Sequence, residues 1–329
     1  MKKVGLIILS ILLLVMLWQF DFTEFFISIR KVSLLGFIAL LFLQVISQLL
    51  VNYQWCRISK IMGGENNFFK MLYINTRGMI IECVTPGVKV GGEVTRGILL
   101  KKELNYSTQE AATLVTIQKM LSFSSFFLIN IFAFAHISNE FEIFQAVFIK
   151  VIIYFFLIAL LGILILIFAC SSSLENRIRT SNPRYKWSDV IKQFMLSLLS
   201  NIKVLKSIKG EIYKQFLLSL IIWIIFPMKM ILLVHLFTSN YDPIFLAEVT
   251  FISYLVGMIP LLPGGIGSFE ATMASLLMVM EIKSGDALAI TLLFRFITFW
   301  FVILISLLYI AIWKLGGRKN EGHKVKTST

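Results

Sequence analysis

Ile259-Pro-Leu-Leu-Pro-Gly-Gly-Ile-Gly-Ser-Phe-Glu270 interrupts an apolar segment that runs from about residue 246 to residue 280. Two prolines and a cluster of glycines make a continuous helix through it untenable. Lipid cannot satisfy the backbone N–H and C=O groups that such a break frees, so the break persists only inside protein or beside a wet cavity. A companion, Thr85-Pro-Gly-Val-Lys-Val-Gly-Gly-Glu-Val-Thr-Arg96, breaks a second apolar stretch near residues 68–100. In both, Pro-Gly is followed by a glutamate seven residues after the proline: Pro86-Gly87 with Glu93, and Pro263-Gly264 with Glu270. The predicted helix breaks are Pro86, Gly87, Gly91, Gly92, Pro260 and Pro263.

The solvent around these breaks is lipid. The 329-residue chain is 58% hydrophobic and 15% charged, with a mean hydropathy of +0.85, a balance that fits no water-soluble domain of this length. Runs long enough to cross roughly 30 Å of hydrocarbon as helix recur at Val4–Phe20, Leu34–Val51, Leu114–Ala135, Val151–Ala169, Phe216–Phe237 and Ala287–Trp313. Lys2-Lys3 resembles the start of a signal peptide, but Trp18-Gln19-Phe20-Asp21 offers no small-x-small cleavage site, so the first run reads as a retained span. The predicted fold is an all-α polytopic membrane protein with about six full spans and two broken hairpins. A single transmembrane domain is expected over residues 1–313, with a basic cytoplasmic loop at 171–214 and a basic cytoplasmic tail at 314–329.

Charge placement orients the chain. Lys2 and Lys3, then Arg57, Lys60 and Lys70, then Lys101 and Lys102, the Arg- and Lys-rich loop Ser171–Lys214, and the tail from Lys314 mark the segments that stay in the cytoplasm. The segments near Asp21–Lys31, His136–Lys150, Asn240–Phe245 and Glu281–Asp286 are poor in basic residues and face outward. Both termini are then cytoplasmic, and the two broken stretches must be hairpins that enter from opposite sides. Span, span, hairpin, span, read twice with opposite starts, is the layout of an inverted-topology repeat. The 171–214 loop, with apolar Val190, Ile191, Phe194 and Leu198 at helical spacing, reads either as an amphipathic helix on the membrane surface or as a solvated connector. The net charge of +13 is accounted for by these loops, so no nucleic-acid partner is expected.

Ionisable residues at the breaks are the candidate site. Glu93 and Arg96 are three apart and share a helical face, which makes an ion pair between them easy; Lys89 lies in the same window. Gly264, Gly265 and Gly267 stand where a helix begins, a place where exposed N–H groups hold anions. Arg295, deep in the last apolar run, costs about 2.5 to 3.5 kcal/mol on insertion scales and must face a partner or an aqueous cavity; Glu270 is the candidate partner. Arg77, Glu82, Lys119, Lys229 and Glu248 also lie in or near apolar segments, where those close to helix ends can snorkel.

Catalytic signatures are absent: no P-loop, no H-E-x-x-H and no G-x-S-x-G occurs. The odd trio Cys56, Cys83 and Cys170 gives neither a disulfide framework nor a zinc site and reads as buried apolar filler. His235, on an apolar helix, reads as a packed histidine. No catalytic residue, metal or cofactor is expected.

Three pieces of this chain resemble the lysylphosphatidylglycerol synthase transmembrane region, the flippase-like membrane part of the multiple peptide resistance factor family. They are Pro-Gly-x-x-x-Gly-Gly-Glu-x-x-Arg at 86–96, Pro-Gly-Gly-Ile-Gly-Ser-Phe-Glu at 263–270 and Arg-Phe-Ile-Thr-Phe-Trp at 295–300. The resemblance implies hairpins that meet near a head-group cavity, and a role in moving modified lipids between leaflets. Full-length members carry a cytosolic aminoacyl transfer domain after the membrane region; here only the short segment after Trp313 follows, so the chain is expected not to charge lipids. At Ile117-Gln-Lys-Met120 the family often has an arginine, which argues against a role for Lys119.

The expectation is therefore a non-enzymatic, flippase-like protein of the cytoplasmic membrane that binds anionic or modified lipid head groups through Lys89, Glu93, Arg96, Gly264, Gly265, Gly267, Glu270 and Arg295. The alternative is an accessory subunit that presents lipid to a separate glycosyltransferase or aminoacyltransferase. Membrane lipids are the expected partners, with such a transferase as the candidate protein partner.

Overall fold

The computed structural model describes residues 27, 30–64, 67–85, 90–140, 146–180, 186–208, 210–259 and 263–326. The apolar run Val4–Phe20 and the candidates Pro86, Gly87, Lys89 and Pro260 lie outside them. Among the described residues all regular structure is helical. Helix α1 (Leu34–Ile61) leads to a pair of shorter helices, α2 (Phe68–Val84) and α3 (Val90–Leu104), and then to α4 (Thr108–Glu140) and α5 (Val147–Ala169). The basic loop forms α6 (Ser171–Thr180) and α7 (Lys186–Ser207). Helix α8 (Glu211–His235) precedes a second short pair, α9 (Pro243–Gly257) and α10 (Ser268–Val279), joined through a 3-10 turn at Pro263–Gly265. The chain ends on α11 (Ser284–Arg295), a π turn at Phe296–Trp300 and α12 (Phe301–Lys326), which together form one long helical run.

Five of the described helical runs are long and apolar enough to cross a membrane: Leu34–Ile61, Thr108–His136, Lys150–Ala169, Glu211–His235 and Ser284–Leu315. Each overlaps one of the apolar runs found in the sequence; four contain their run and extend it at one or both ends, and Glu211–His235 starts five residues before Phe216 but stops two before Phe237. The last run continues as helix through the basic segment from Lys314 up to Lys326.

Polar residues set where helices start. The Ser33 hydroxyl accepts from the Gly36 N–H, the Asn67 side chain from Lys70 N–H, and Asp242 from the Ile244 and Phe245 N–H groups, each removing an orphan donor at a helix start. Side-chain contacts sort the loops into two groups. At one end, Tyr73 stacks on Trp313, the Tyr309 hydroxyl donates to the Phe69 carbonyl, Arg57 pairs with Glu211, and Ser59 meets Tyr106. At the other, Lys31 pairs with Asp286, His136 with Glu248, and Tyr241 meets His235. The basic loops share the first end, as the charge pattern predicts.

In lipid, helices gain little from burying apolar surface against one another; close packing and interhelical hydrogen bonds hold them. A buried amide ladder does this between α1, α4 and α8: Gln118 donates to Gln54, and Gln54 donates to the Ser219 hydroxyl and the Gln215 carbonyl. Helix α5 turns most of its surface outward, with Phe148, Phe155 and Leu166 exposed, as a lipid-facing helix requires.

Helix α7 corrects the surface-helix reading. Leu198, Ile202 and Leu205 are buried with Leu114, Ile117 and Leu121 of α4, so its apolar stripe packs on protein rather than being left for lipid. Two further readings change. Cys56 and Cys83 are buried, but Cys170 is exposed at the end of α5, and His235 is exposed at the end of α8 beside Tyr241.

Candidate functional site

The described parts of the two broken segments fold as the two short helix pairs, and the end of α2 meets the Pro263–Gly265 turn of the second pair. A Cβ placed on Gly264 would lie 3.3 Å from the Cys83 carbonyl oxygen, at the end of α2, and 2.8 Å from the Phe299 ring. Gly264 has φ 65° and Gly265 φ 69°, backbone that glycine alone adopts without cost. A Cβ on Gly265 would also stand 2.4 Å from the Gly257 carbonyl oxygen. The glycines are thus required by a tight return of the chain onto α9.

Arg295 is buried against this turn. Its Nη2 donates to the Gly264 carbonyl, and its Nε lies 2.8 Å from Glu270 Oε1, although off the line of a hydrogen bond. The guanidinium is sandwiched between two rings, 4.9 Å from the centre of Phe269 and 4.2 Å from that of Phe299; each face contributes a cation–π attraction in a desolvated site. The other Glu270 oxygen accepts from the Gly267 N–H at 2.6 Å. The Gly267 N–H at the start of α10 is thus already taken by a carboxylate of the chain itself, and the turn presents its Gly264 carbonyl to Arg295.

Arg295 borders a cavity of about 130 Å³. Gln48 of α1, Met79 and Glu82 of α2, Trp223 of α8 and Tyr254 of α9 form other parts of its wall. Cavities of similar size in apolar cores hold a benzene-sized guest; a phosphate-sized group fits, whereas acyl chains would have to remain outside. Gln48 and Met79 also line a second cavity of about 170 Å³ that reaches Arg96. Pro227 within α8 withholds the N–H that would otherwise bond the carbonyl of Trp223.

Arg96 is held differently. Nη2 lies 3.0 Å from Glu82 and Nη1 2.6 Å from Glu93, while Lys119 of α4 reaches the same Glu93 oxygen at 2.6 Å. The arginine is buried beneath Trp55. Helices α2 and α3 come close enough for this because Gly78 and Gly92 face each other: a Cβ on Gly92 would stand 2.7 Å from the Gly78 carbonyl oxygen, and one on Gly78 would stand 2.5 Å from the Arg96 side chain.

The ion pairs read from sequence, Glu93 with Arg96 and Glu270 with Arg295, are both present. Their carboxylates do not border one cavity: Glu93 lines an outward groove with Val94, Gly97 and Thr108, and it is Glu82 that shares a cavity with Arg295. Gly91 lies against Thr85 across the break and Gly92 against Glu82. Lys119, for which family comparison argued against a role, is an integral part of the Arg96 cluster. Three participants stand outside the expected site: Glu82, noted only as an ionisable residue in an apolar segment, and Phe269 and Phe299. The signal for Phe299 was available, since it lies one helical turn from Arg295, and Phe269 adjoins Glu270.

No group of three or more His, Cys, Asp or Glu suited to a metal ion occurs among the described residues.

Residues 3–306 match the protein family described as lysylphosphatidylglycerol synthase TM region. Similar curated proteins are named UPF0104 membrane protein. One from Methanothermobacter thermautotrophicus is 23% identical over 84% of each chain, and one from Methanocaldococcus jannaschii is 22% identical over 85% of each. One from Pyrococcus horikoshii is 24% identical over 93% of this chain and 96% of its own.

Proposed function

The chain belongs to the lysylphosphatidylglycerol synthase transmembrane-region family and is a multi-pass membrane protein, and we propose that it binds anionic or modified lipid head groups and moves them between leaflets without catalysing a reaction. The observation that carries this reading is Arg295: a cation deep in an apolar run, clamped between Phe269 and Phe299, bordering a cavity where two chain breaks meet. An arginine at that depth is costly and finds its use at a polar pathway. The guanidinium edge offers a head-group phosphate a fork of donors, and the cavity volume admits the phosphate but not the chains. The family description, drawn from a synthase of a modified phospholipid, supports the same class of ligand.

In this reading the hairpins form an inverted repeat that rocks about the cavity, and the basic ends of the spans, with both termini, lie on the cytoplasmic side of the cytoplasmic membrane. Membrane lipid is the partner, and no cofactor is involved. Native mass spectrometry of the purified chain tests the binding step. Wild type should retain a lipid with an anionic head group, and Arg295→Gln should lose it; equal retention by both would defeat the proposal. Movement of labelled lipid in proteoliposomes holding this chain alone would identify a transporter. Dependence on an added transferase would point instead to a presenting subunit.

A further inference from the structure

Lys229 is fully buried in the middle of α8. Its Nζ donates to the Gln44 side-chain oxygen and, at 3.2 Å, to the Ser47 hydroxyl. The Ser47 proton is already given to the Leu43 carbonyl, so Ser47 acts toward the lysine as an acceptor. The third face of the ammonium is covered by the Phe226 ring, 4.1 Å from Nζ to centroid. An amide oxygen, a hydroxyl and an aromatic face are three neutral acceptors for three N–H bonds. They satisfy hydrogen bonding and leave the charge uncompensated.

Charged groups on the helices packed against α8 are engaged elsewhere. Arg57 of α1 pairs with Glu211, and Lys119 and His136 of α4 pair with Glu93 and Glu248. On α11, Asp286 pairs with Lys31 and Arg295 with Glu270. On α7, Lys203 pairs with Glu175. Among the described residues no carboxylate reaches Lys229.

The charge balance around the cavity follows from these contacts. Arg295 is matched by Glu270, and Arg96 with Lys119 is matched by Glu82 with Glu93. Both clusters are neutral. Lys229 is joined to the cavity through two contacts: Phe226, which covers it, lines the cavity wall, and Gln44 lies one helical turn from Gln48, which lines the same wall. A charge in a low-dielectric interior acts over longer distances than one in water. We propose that Lys229 supplies the net positive charge that makes the cavity select anionic over zwitterionic head groups, while Arg295 provides the directional contacts that any phosphate uses. The missing counter-charge of Lys229 is brought by the ligand. This inference rests on the head-group reading above and adds the origin of its selectivity.

Titration of short-chain phosphatidylglycerol and, separately, phosphatidylcholine into the detergent-solubilised protein at mildly acid pH tests it. Wild type should prefer the anionic lipid by about tenfold or more. Lys229→Met, close in length and uncharged, should bring the two affinities to near parity with thermal stability equal to or above wild type, because an uncompensated buried charge is gone. Gln44→Glu gives Lys229 a counter-ion in place and should also abolish the preference, so the test does not depend on one variant folding. Arg295→Lys should weaken both lipids alike. A wild-type preference that survives in Lys229→Met or in Gln44→Glu overturns the inference, as does a wild type with no preference. If Arg295→Lys weakens both lipids while the Lys229 variant leaves their ratio untouched, the head-group reading stands and this inference falls. If neither lipid binds saturably to wild type, both fall.

Discussion

The two arginines at the chain breaks are built on opposite principles. Arg96 is met by two carboxylates, Glu82 and Glu93, and the second of these is shared with Lys119, so its guanidinium charge is locally saturated. Arg295 has one carboxylate, approached through Nε out of hydrogen-bond alignment, one backbone carbonyl, and two aromatic faces. The first arrangement fastens α3 to α2 and α4; the second leaves a guanidinium at the border of a cavity, where the proposed function puts the head group. A buried charge in a membrane segment is therefore not by itself evidence of a ligand, and what surrounds it decides between a clamp and a site.

That contrast can be broken most severely at the clamp. Arg96→Gln strands Glu82 and Glu93 with Lys119 alone, and breaking a buried network from one side costs about 3 to 5 kcal/mol. Thermal unfolding in detergent should show a large loss of stability whether or not lipid is present. A variant with wild-type stability would show that the cluster holds nothing together.

A smaller loss is expected where the hairpin helices touch. In Gly92→Ala the new methyl meets the Gly78 carbonyl oxygen and Glu82, and overpacking of this kind costs about 1 to 3 kcal/mol. Gly97→Ala, on the same helix with nothing near the added carbon, should be neutral or slightly stabilising by helix propensity. Equal effects at the two positions would contradict the close approach of α2 and α3.

The Arg295 and Glu270 pair should couple. A double-mutant cycle with Glu270→Gln and Arg295→Gln should give an interaction of about 0.5 to 3 kcal/mol in thermal stability, with the double mutant more stable than the sum of the single changes implies and still unable to hold lipid. Strict additivity would show that the two side chains do not interact.

The smallest effect belongs outside the membrane. Glu175 of α6 pairs with Lys203 and Arg179, and these cations, Lys203 foremost, hold its carboxyl below the usual range. A lowered folded-state value means that the contribution to stability is complete above the unfolded carboxylate range and disappears as pH falls through the lowered value. The Glu175 carboxyl is buried, but Arg179 is exposed and Lys203 half-exposed, so solvent screens both pairs; Glu175→Gln should cost about 1 kcal/mol at neutral pH, and the difference from wild type should vanish in strong acid. A constant difference across pH would rule out the ion pairs as its cause.

The sequence made the spans legible because length and apolarity alone decide them. It made the second break legible at Pro263–Gly265, where glycines take left-handed backbone, but Gly91 and Gly92, expected as breaks, lie in the first turn of α3 and serve close packing against α2 instead; Arg295 stood out because charge at that depth is rare. Glu93 with Arg96 followed from a spacing of three. Glu82 did not, since it meets Arg96 across a hairpin whose closeness is set by Gly78 and Gly92, and a glycine in sequence does not say what it faces. Phe269 and Phe299 stood at telling distances from Glu270 and Arg295, but with 30 phenylalanines in the chain such spacing does not single out two of them. The apolar stripe of α7 was visible, but periodicity identifies a face and not what covers it; α4 does so through Ile117 and Leu121.

The difference between clamp and site is tested most directly by the affinity of Arg295→Lys for phosphatidylglycerol, measured beside its thermal stability in the absence of lipid. Lysine keeps the charge and its attraction to the Phe269 and Phe299 rings but lacks the planar fork that phosphate geometry matches. The account predicts binding at least about tenfold weaker with stability close to wild type. Wild-type affinity in Arg295→Lys would contradict it, and would make Arg295 a second clamp.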